Sequence, residues 1–275
     1  SMPGDEPAIQ GGGDNPAVLM YTSGTTGKPK GVTLSHNNLF WAAVGLVHSI
    51  DYPYKSRFLS VAPLFHIGGL VWIMGNIHIG ITNVFMPDFD PAKIWKLIEE
   101  EKINFAMTVP TMLNLMLMVP GIDKMDLSSL KYLVCGGAPV PQSLIVTYKD
   151  MGIEIFNVYG ATEYTGPITF WTSDMPFGKL DTAGKAVFHG EVKVCEPISN
   201  TELPEDEVGE LWVSGPQVFA GYWDNVEASR DVLLGGYYRT GDLGKIDEEG
   251  FVTVVDRLKD MIISGGENIY PAEIE

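Results

Sequence analysis

The sequence predicts an α/β fold, a parallel sheet flanked by helices and followed by a small antiparallel β-domain. Three observations point to it. Between residues 58 and 158, five short apolar runs alternate with four helical stretches, which is the pattern of a parallel sheet with helices packed on its faces. After about residue 180 the runs become short, alternate polar with apolar, and are bounded by Gly, Pro or Asp, as antiparallel strands are. The composition, 45 % hydrophobic and 19 % charged over 275 residues, is globular and long enough to bury a sizeable core.

The elements follow in order. Residues 17–21 (AVLMY) read as a strand that runs into a Gly/Thr-rich loop, 22–31. Ser35 can cap a helix over about 36–48, because its hydroxyl can accept from a free N–H of the first turn. Strand-like runs lie at 58–62, 82–86, 104–108, 131–135 and 153–158, with helices expected near 68–79, 91–101, 110–118 and 141–150. The helix at 91 is the best signed: Asp90 at N-cap, Pro91 at N1, and one apolar face of Ile94, Leu97 and Ile98. The later runs EVKVCE, GELWVSG and GFVTVVD supply the β-domain.

The charge excludes several functions. Eighteen Lys and Arg against 35 Asp and Glu leave a net charge of −17. A general nucleic-acid or anionic-membrane binder needs the opposite sign. The excess is uneven, since residues 196–275 hold 18 acids and 5 bases, net −13. Residues 58–87 contain no charged side chain, but Pro63, Gly68, Gly69, Gly75 and Asn83 cut the stretch into strand- and helix-sized pieces, so a buried βαβ unit is expected instead of a transmembrane segment. Cys135 and Cys195 are too few for a disulfide framework and form no metal spacing, which fits two reduced thiols in a cytoplasmic protein.

In an open parallel sheet, ligands bind beyond the carboxyl ends of the strands. The residues that follow three of the strands are Pro63-Leu64-Phe65-His66, Gly136-Gly137-Ala138-Pro139 and Tyr159-Gly160-Ala161-Thr162-Glu163. Together they supply what a nucleotide site needs: flat backbone and a ring for a base, a hydroxyl for phosphate, and a carboxylate for Mg²⁺. The loop from Thr22 through Ser23, Gly24, Thr25, Thr26, Gly27, Lys28 and Pro29 to Lys30 adds glycines, hydroxyls and two cations for an anion. It is not a Walker A loop, because only two residues separate Gly24 from Gly27 and Pro29 stands where a Ser or Thr is required, which disfavours a P-loop phosphotransferase. Asp242, in YRTGD, can accept from both hydroxyls of a ribose, and Arg257 can donate to sugar or phosphate; an ordinary surface ion pair is the competing explanation.

YTSGTTGKPKG, NVYGATE, YRTGD and DRLKDMIISGGENIYPAEIE, in that order, resemble the adenylate-forming (AMP-binding) superfamily, over residues from about 17 to the end. The resemblance implies a ligase that joins ATP and a carboxylic acid into an acyl-adenylate, which coenzyme A then attacks as a thiol. By the matching motifs, Thr22–Lys30 cradle the β- and γ-phosphates. Tyr159 stacks on adenine, which Gly136–Pro139, Asn157, Val158 and Gly160 border. Thr162 touches the α-phosphate, Glu163 holds Mg²⁺, Asp242 and Arg257 bind ribose, and Lys259 is the hinge of a mobile C-terminal domain. His66 matches a gating position beside the acid, with a satisfied core histidine as the alternative.

The absence of an acid after Phe65 argues against an amino-acid substrate, and the tail SGGENIYPAEIE resembles acyl- and aryl-CoA synthetases. A fatty acid is the first expectation and an aryl acid the second. Met107, Met112, Met116 and Met118 either fill the core or wall the acyl site. The resemblance divides the chain into a remnant of a first α/β subdomain with the phosphate loop (1–55), an α/β subdomain with the adenine and acyl sites (56–182), a small β-rich subdomain (183–256) and the hinge with the start of a C-terminal domain (257–275). Both ends look short against the family, and no residue present takes the role of its C-terminal lysine. The chain is therefore expected to be catalytically incomplete and to associate through an apolar face left open, as a homo-oligomer or with a partner. The alternative is a non-catalytic nucleotide-binding or interaction module.

Overall fold

The computed structural model describes residues 11–22, 29–52 and 54–260, and the backbone of two short strands beyond them. Strands β1 (Pro16–Thr22) and β2 (Lys30–Ser35) pair antiparallel, with Thr22 opposite Lys30. Both ends of the glycine- and threonine-rich segment are thus fixed side by side. Residues 23–28 of that segment, which carry Ser23, Gly24, Thr25, Thr26, Gly27 and Lys28, lie outside the described residues. Helix α1 (His36–Ser49) starts as the sequence predicts: Ser35 Oγ accepts from Asn38 N at 3.1 Å, and Asn38 Oδ1 accepts from Ser35 N at 3.0 Å, a capping box.

The central layer comes next. Strand β3 (Arg57–Ser60) leads through α2 (Ile67–Ile79) to β4 (Thr82–Phe85), through α3 (Pro91–Glu100) to β5 (Phe105–Thr108), through α4 (Pro110–Leu117) to β6 (Tyr132–Gly136), and through α5 (Gln142–Asp150) to β7 (Glu154–Ala161). Each expected strand and helix is present, with bounds shifted by at most three residues. The five strands run parallel in the order β4-β3-β5-β6-β7. Two antiparallel strands that the sequence reading did not identify, β8 (Gly166–Trp171) and β9 (Lys185–Ala186), extend the sheet to seven.

Side chains alternate between the two faces of this sheet, as the period of two requires. Phe58, Phe105, Tyr132, Val134, Phe156 and Val158 face a core shared with α1 and α2. Leu59, Ala106, Leu133, Cys135 and Ile155 face a second core with α3, α4 and α5. Both faces are covered, so every position in β5, β6 and β8 is buried. Asp90 accepts from the N–H groups of Ala92 (2.9 Å) and Lys93 (3.0 Å) and fixes the start of α3. Helix α2 has 13 residues, and no helix among the described residues is long and apolar enough to cross a membrane. The outer sides of α1 and α2 leave Phe40 and Ile77 exposed, with the Phe40 ring edge-on to Trp41 and His78.

The later segment forms strands β10 (Glu191–Cys195), β11 (Gly209–Ser214) and β12 (Gly221–Tyr222), a short helix α6 (Val226–Val232), and strands β13 (Leu233–Leu234), β14 (Tyr237–Ile246) and β15 (Val252–Arg257). Strands β10, β11, β14, β13 and β15 make an antiparallel sheet. Two strands cross the expected limits of this β-rich part: β9 pairs in the central sheet, and β12 returns to pair with β2. Local alternation reveals a strand but not the sheet it joins, which tertiary packing decides. Strands β16 (Ile262–Ser264) and β17 (Glu267–Ile269) pair with each other.

Candidate active site

A cleft of about 590 Å³ opens where β7, β14 and the end of β15 meet the β1–β2 pair. Thr22, Lys30, Gly160, Thr162, Glu163, Asp242, Arg257 and Lys259 all line it. The parallel sheet brings the carboxyl end of β7 to this edge, and the β1–β2 register brings Thr22 and Lys30 to the same place. Residues distant in sequence thus meet in one polar cavity, as a binding site outside the carboxyl ends of an α/β sheet requires.

At one side, a short 3₁₀ turn over Thr162–Tyr164 carries Glu163. Glu163 is 9 % exposed, and its Oε1 accepts from Tyr222 Oη at 3.0 Å and from Thr22 Oγ1 at 3.5 Å. Its backbone oxygen accepts from Phe219 N at 2.8 Å, which anchors the turn to the segment before β12. Lys30 Nζ lies 5.0 Å from the centre of the Tyr222 ring. Burial and the Glu163 charge push the Tyr222 phenol well above its usual range, so it remains a donor.

At the other side, Asp242 is 5 % exposed. Its Oδ1 is 2.7 Å from Arg257 Nε and its Oδ2 accepts from Tyr159 Oη at 2.5 Å. Asp242 and Arg257 are directly opposite one another in the β14–β15 pair. The ion pair that the sequence also allowed is present, with the Asp242 carboxylate buried and the Arg257 side chain 56 % exposed. Burial raises its pKa above that of an ordinary aspartate, partly offset by Arg257 and Tyr159.

Gly160 also lines a second, apolar pocket of about 110 Å³, with Ile67, Gly68, Val71, Trp72, Met107, Gly137 and Val158. A Cβ on Gly160 would stand 2.3 Å from Gly166 O, so only glycine lets β8 approach here. The cleft and the pocket therefore share one lining residue, which has no side chain.

The other expected residues are spread more widely. His66 is exposed at the N-terminus of α2, its ring 4.6 Å from that of Phe65; a core histidine is excluded, and it lines neither cavity. A Cβ on Gly136 would meet Val158 O at 2.3 Å, so a glycine is needed for the β6–β7 contact. Gly137 is left-handed, with φ +78°. Ala138 and Pro139 are exposed beside it, and Asn157 donates to Thr182 O at 3.1 Å. Met107 lines the apolar pocket, whereas Met112 and Met116 pack in the core of α3–α5 and Met118 is exposed.

Sequence reading missed Tyr222, Glu210 and Asp231, which also line the cleft. Tyr222 stood in an unremarked Gly-Tyr-Trp run, and Glu210 in a run read only as a strand. Among the described residues, no group of three or more His, Cys, Asp or Glu could hold a metal ion. Glu163 alone still fits Mg²⁺ delivered with a nucleotide, since that ion commonly takes one or two carboxylates together with phosphate oxygens.

The comparisons with known proteins bear on the family and the fold. A family model described as AMP-binding enzyme matches residues 3–223. The long-chain-fatty-acid–CoA ligase FadD13 of Mycobacterium tuberculosis is 41 % identical over 275 residues, covering 100 % of this chain and 54 % of that protein. A feruloyl-CoA synthase of an Amycolatopsis species is 41 % identical over 272 residues, 98 % of this chain and 55 % of its own length. The o-succinylbenzoate CoA synthetase of Bacillus subtilis, solved with ATP and magnesium ion, matches with a TM-score of 0.89 at 35 % identity, over 98 % of this chain and 56 % of that one. The chain spans about half the length of the curated relatives it matches.

Proposed function

The chain belongs to the AMP-binding enzyme family, and from that premise we propose that it is the nucleotide- and acid-binding part of an AMP-forming acid–CoA ligase. The observation that carries this reading is that a polar cleft, holding Glu163 and Asp242, and an apolar pocket share Gly160 as a wall. A reaction between a nucleotide phosphate and the carboxyl end of an apolar acid needs that juxtaposition.

In the first step a carboxylate oxygen attacks the α-phosphorus of ATP, the bond to the β-phosphate oxygen breaks, and pyrophosphate leaves. In the second the sulfur of coenzyme A attacks the acyl carbon and AMP departs with the former carboxylate oxygen. Negative charge accumulates on phosphate oxygens in the first step, and positioned donors stabilise it. Thr22 and Lys30 are placed for the β- and γ-phosphates and Thr162 for the α-phosphate. Asp242 and Arg257 hold the ribose, and the ring of Tyr159 flanks adenine together with Gly137–Pro139. Lys259 serves as the hinge. Mg²⁺, when bound at Glu163, supplies charge neutralisation for the phosphates. His66, at the start of α2 just before the pocket residues Ile67 and Gly68, is the residue for gating the acid.

The apolar pocket argues for the class of acid. An engineered cavity of about 150 Å³ in another protein holds benzene. At about 110 Å³, this pocket matches a ring or a short acyl segment next to the carboxyl group. An aryl or short acyl acid is therefore favoured over the fatty acid that the sequence put first.

Calorimetry with AMP and with acyl-sulfamoyl adenosines, stable mimics of the acyl-adenylate, tests the reading. A benzoyl or feruloyl mimic is expected to bind at least about tenfold more tightly than AMP, some 1.4 kcal/mol. No AMP binding, or no gain from any acyl group, would overturn it. A gain that grows steadily with chain length would restore the fatty acid.

A further inference from the structure

Strand β14 departs from regular pairing where it carries Asp242. Glu210 is opposite Leu243 and Trp212 opposite Arg239, so Leu211 alone faces the three residues Thr240, Gly241 and Asp242. Such bulges re-aim side chains beside binding sites. Gly241 is left-handed, with φ +71°.

The carboxylate of Glu210 lies under this bulge and is 2 % exposed. Its Oε2 accepts from Arg239 Nε (2.9 Å), Arg239 Nη2 (2.8 Å) and Trp212 Nε1 (3.0 Å). Its Oε1 accepts from the backbone N–H of Gly241 at 3.2 Å. Gly241 O in turn accepts from Leu258 N at 2.9 Å, next to Lys259. The Gly241 peptide is held from both sides, and Asp242 is the next residue. A charge this deeply buried persists only where its donors are in place.

We propose that Glu210 is a positioning residue for the nucleotide: it fixes the Gly241 bulge and thereby aims the Asp242 carboxylate at the ribose hydroxyls. The inference rests on the ribose reading of Asp242. All four contacts of Glu210 are donors, so a glutamine there retains the shape but sets its own NH₂ group against one of them. The bulge then loses a holding contact while the sheet around it stays paired.

The test is calorimetric titration of the 275-residue chain with AMP and with 2′,3′-dideoxy-AMP, for wild type, E210Q, D242A and the double variant, with thermal unfolding alongside. E210Q is expected to lose about tenfold in AMP affinity, about 1.4 kcal/mol, with dideoxy-AMP unchanged, and to add nothing in the D242A background. E210D retains the buried charge against Arg239 but is one methylene too short to reach Gly241 as well. It is expected to show the same selective loss, and it decides the matter if E210Q does not fold. Wild-type affinity in both variants, an equal loss for both ligands, or a loss that adds to D242A would overturn the role of Glu210. A wild-type protein that binds both ligands equally would instead overturn the ribose reading of Asp242, and this inference with it.

Discussion

The hydroxyl of Tyr222 donates to Glu163 Oε1 across 3.0 Å, tying the short strand β12 to the turn that follows β7. Glu163 is 9 % exposed, and its other described side-chain donor, Thr22, is at the longer distance of 3.5 Å. Tyr222→Phe leaves a buried carboxylate short of its better donor. A hydrogen bond to a charged group contributes about 1.5–3 kcal/mol, and the variant is expected to lose about that much in urea unfolding. A loss below about 0.5 kcal/mol, the scatter of ordinary surface substitutions, would show that the bond does not hold Glu163.

Glu163→Gln separates charge from shape at the same position. In the proposed ligase, its carboxylate meets Mg²⁺ and the nucleotide's phosphates complete the coordination. The variant is expected to bind AMP much as wild type does, while Mg²⁺ no longer strengthens ATP binding. Calorimetry with ATP, with and without Mg²⁺, reads this directly. A retained Mg²⁺ effect would move the ion to other residues.

The parallel part of the central sheet was legible because its inner strands are buried on both faces and alternate with helices, one of them clearly capped at Asp90-Pro91. The cleft residues were legible where they fall in contiguous motifs at strand ends, as Thr162, Glu163 and Asp242 do. Partners supplied from elsewhere in the chain were not. Tyr222 reaches Glu163 through a pairing of β12 with β2, and Glu210 reaches Gly241 across a bulge; no local pattern encodes either contact. Gly136 shows a related ambiguity: a glycine after a strand looks the same whether the close approach is made by a ligand or by a neighbouring strand, and here Val158 O makes one.

Asp242 links binding to pH. Burial raises its pKa above the ordinary 3.8, with Glu210 adding to the rise and Arg257 and Tyr159 opposing it. Only the ionised form accepts from two ribose hydroxyls. Adenosine affinity is therefore expected to fall on acidification, starting at a higher pH than an ordinary aspartate would give; adenosine has no phosphate to titrate. Stability moves the other way: the folded state holds this proton more tightly than the unfolded state, so lowering the pH between the two constants relieves a folded-state penalty. Asp242→Asn is expected to bind weakly at every pH and to lack both trends. A pH-dependent fall that survives in Asp242→Asn would assign the titration to another group.

Both thiols are buried, Cys135 in the core between the sheet and α3–α5 and Cys195 at the end of β10. Burial pushes Cys135 up to about 12, and Cys195 is raised for the same main reason. The thiolate is the reactive form, so the native protein is expected to show no fast reaction with a disulfide reagent at pH 8, and two equivalents in denaturant. A fast equivalent in the native state would mean that one of these cores opens.

Gly160 tests the junction itself. A methyl group there would meet Gly166 O at 2.3 Å and Pro167 Cα at 3.1 Å, which are backbone atoms and cannot rotate away. Gly160→Ala must push β8 from β7, at a typical overpacking cost of about 1–3 kcal/mol. Gly166 and Pro167 also wall the apolar pocket, so the displacement reaches the acid end of the site before the nucleotide end. The gain in affinity from AMP to an acyl-sulfamoyl adenosine is expected to shrink more than AMP affinity itself. Gly178→Ala serves as the control, because a Cβ there meets nothing within 4 Å and its φ is not left-handed. Equal stability in the two variants, or an acyl gain that Gly160→Ala leaves intact, would mean that the two cavities do not share this wall.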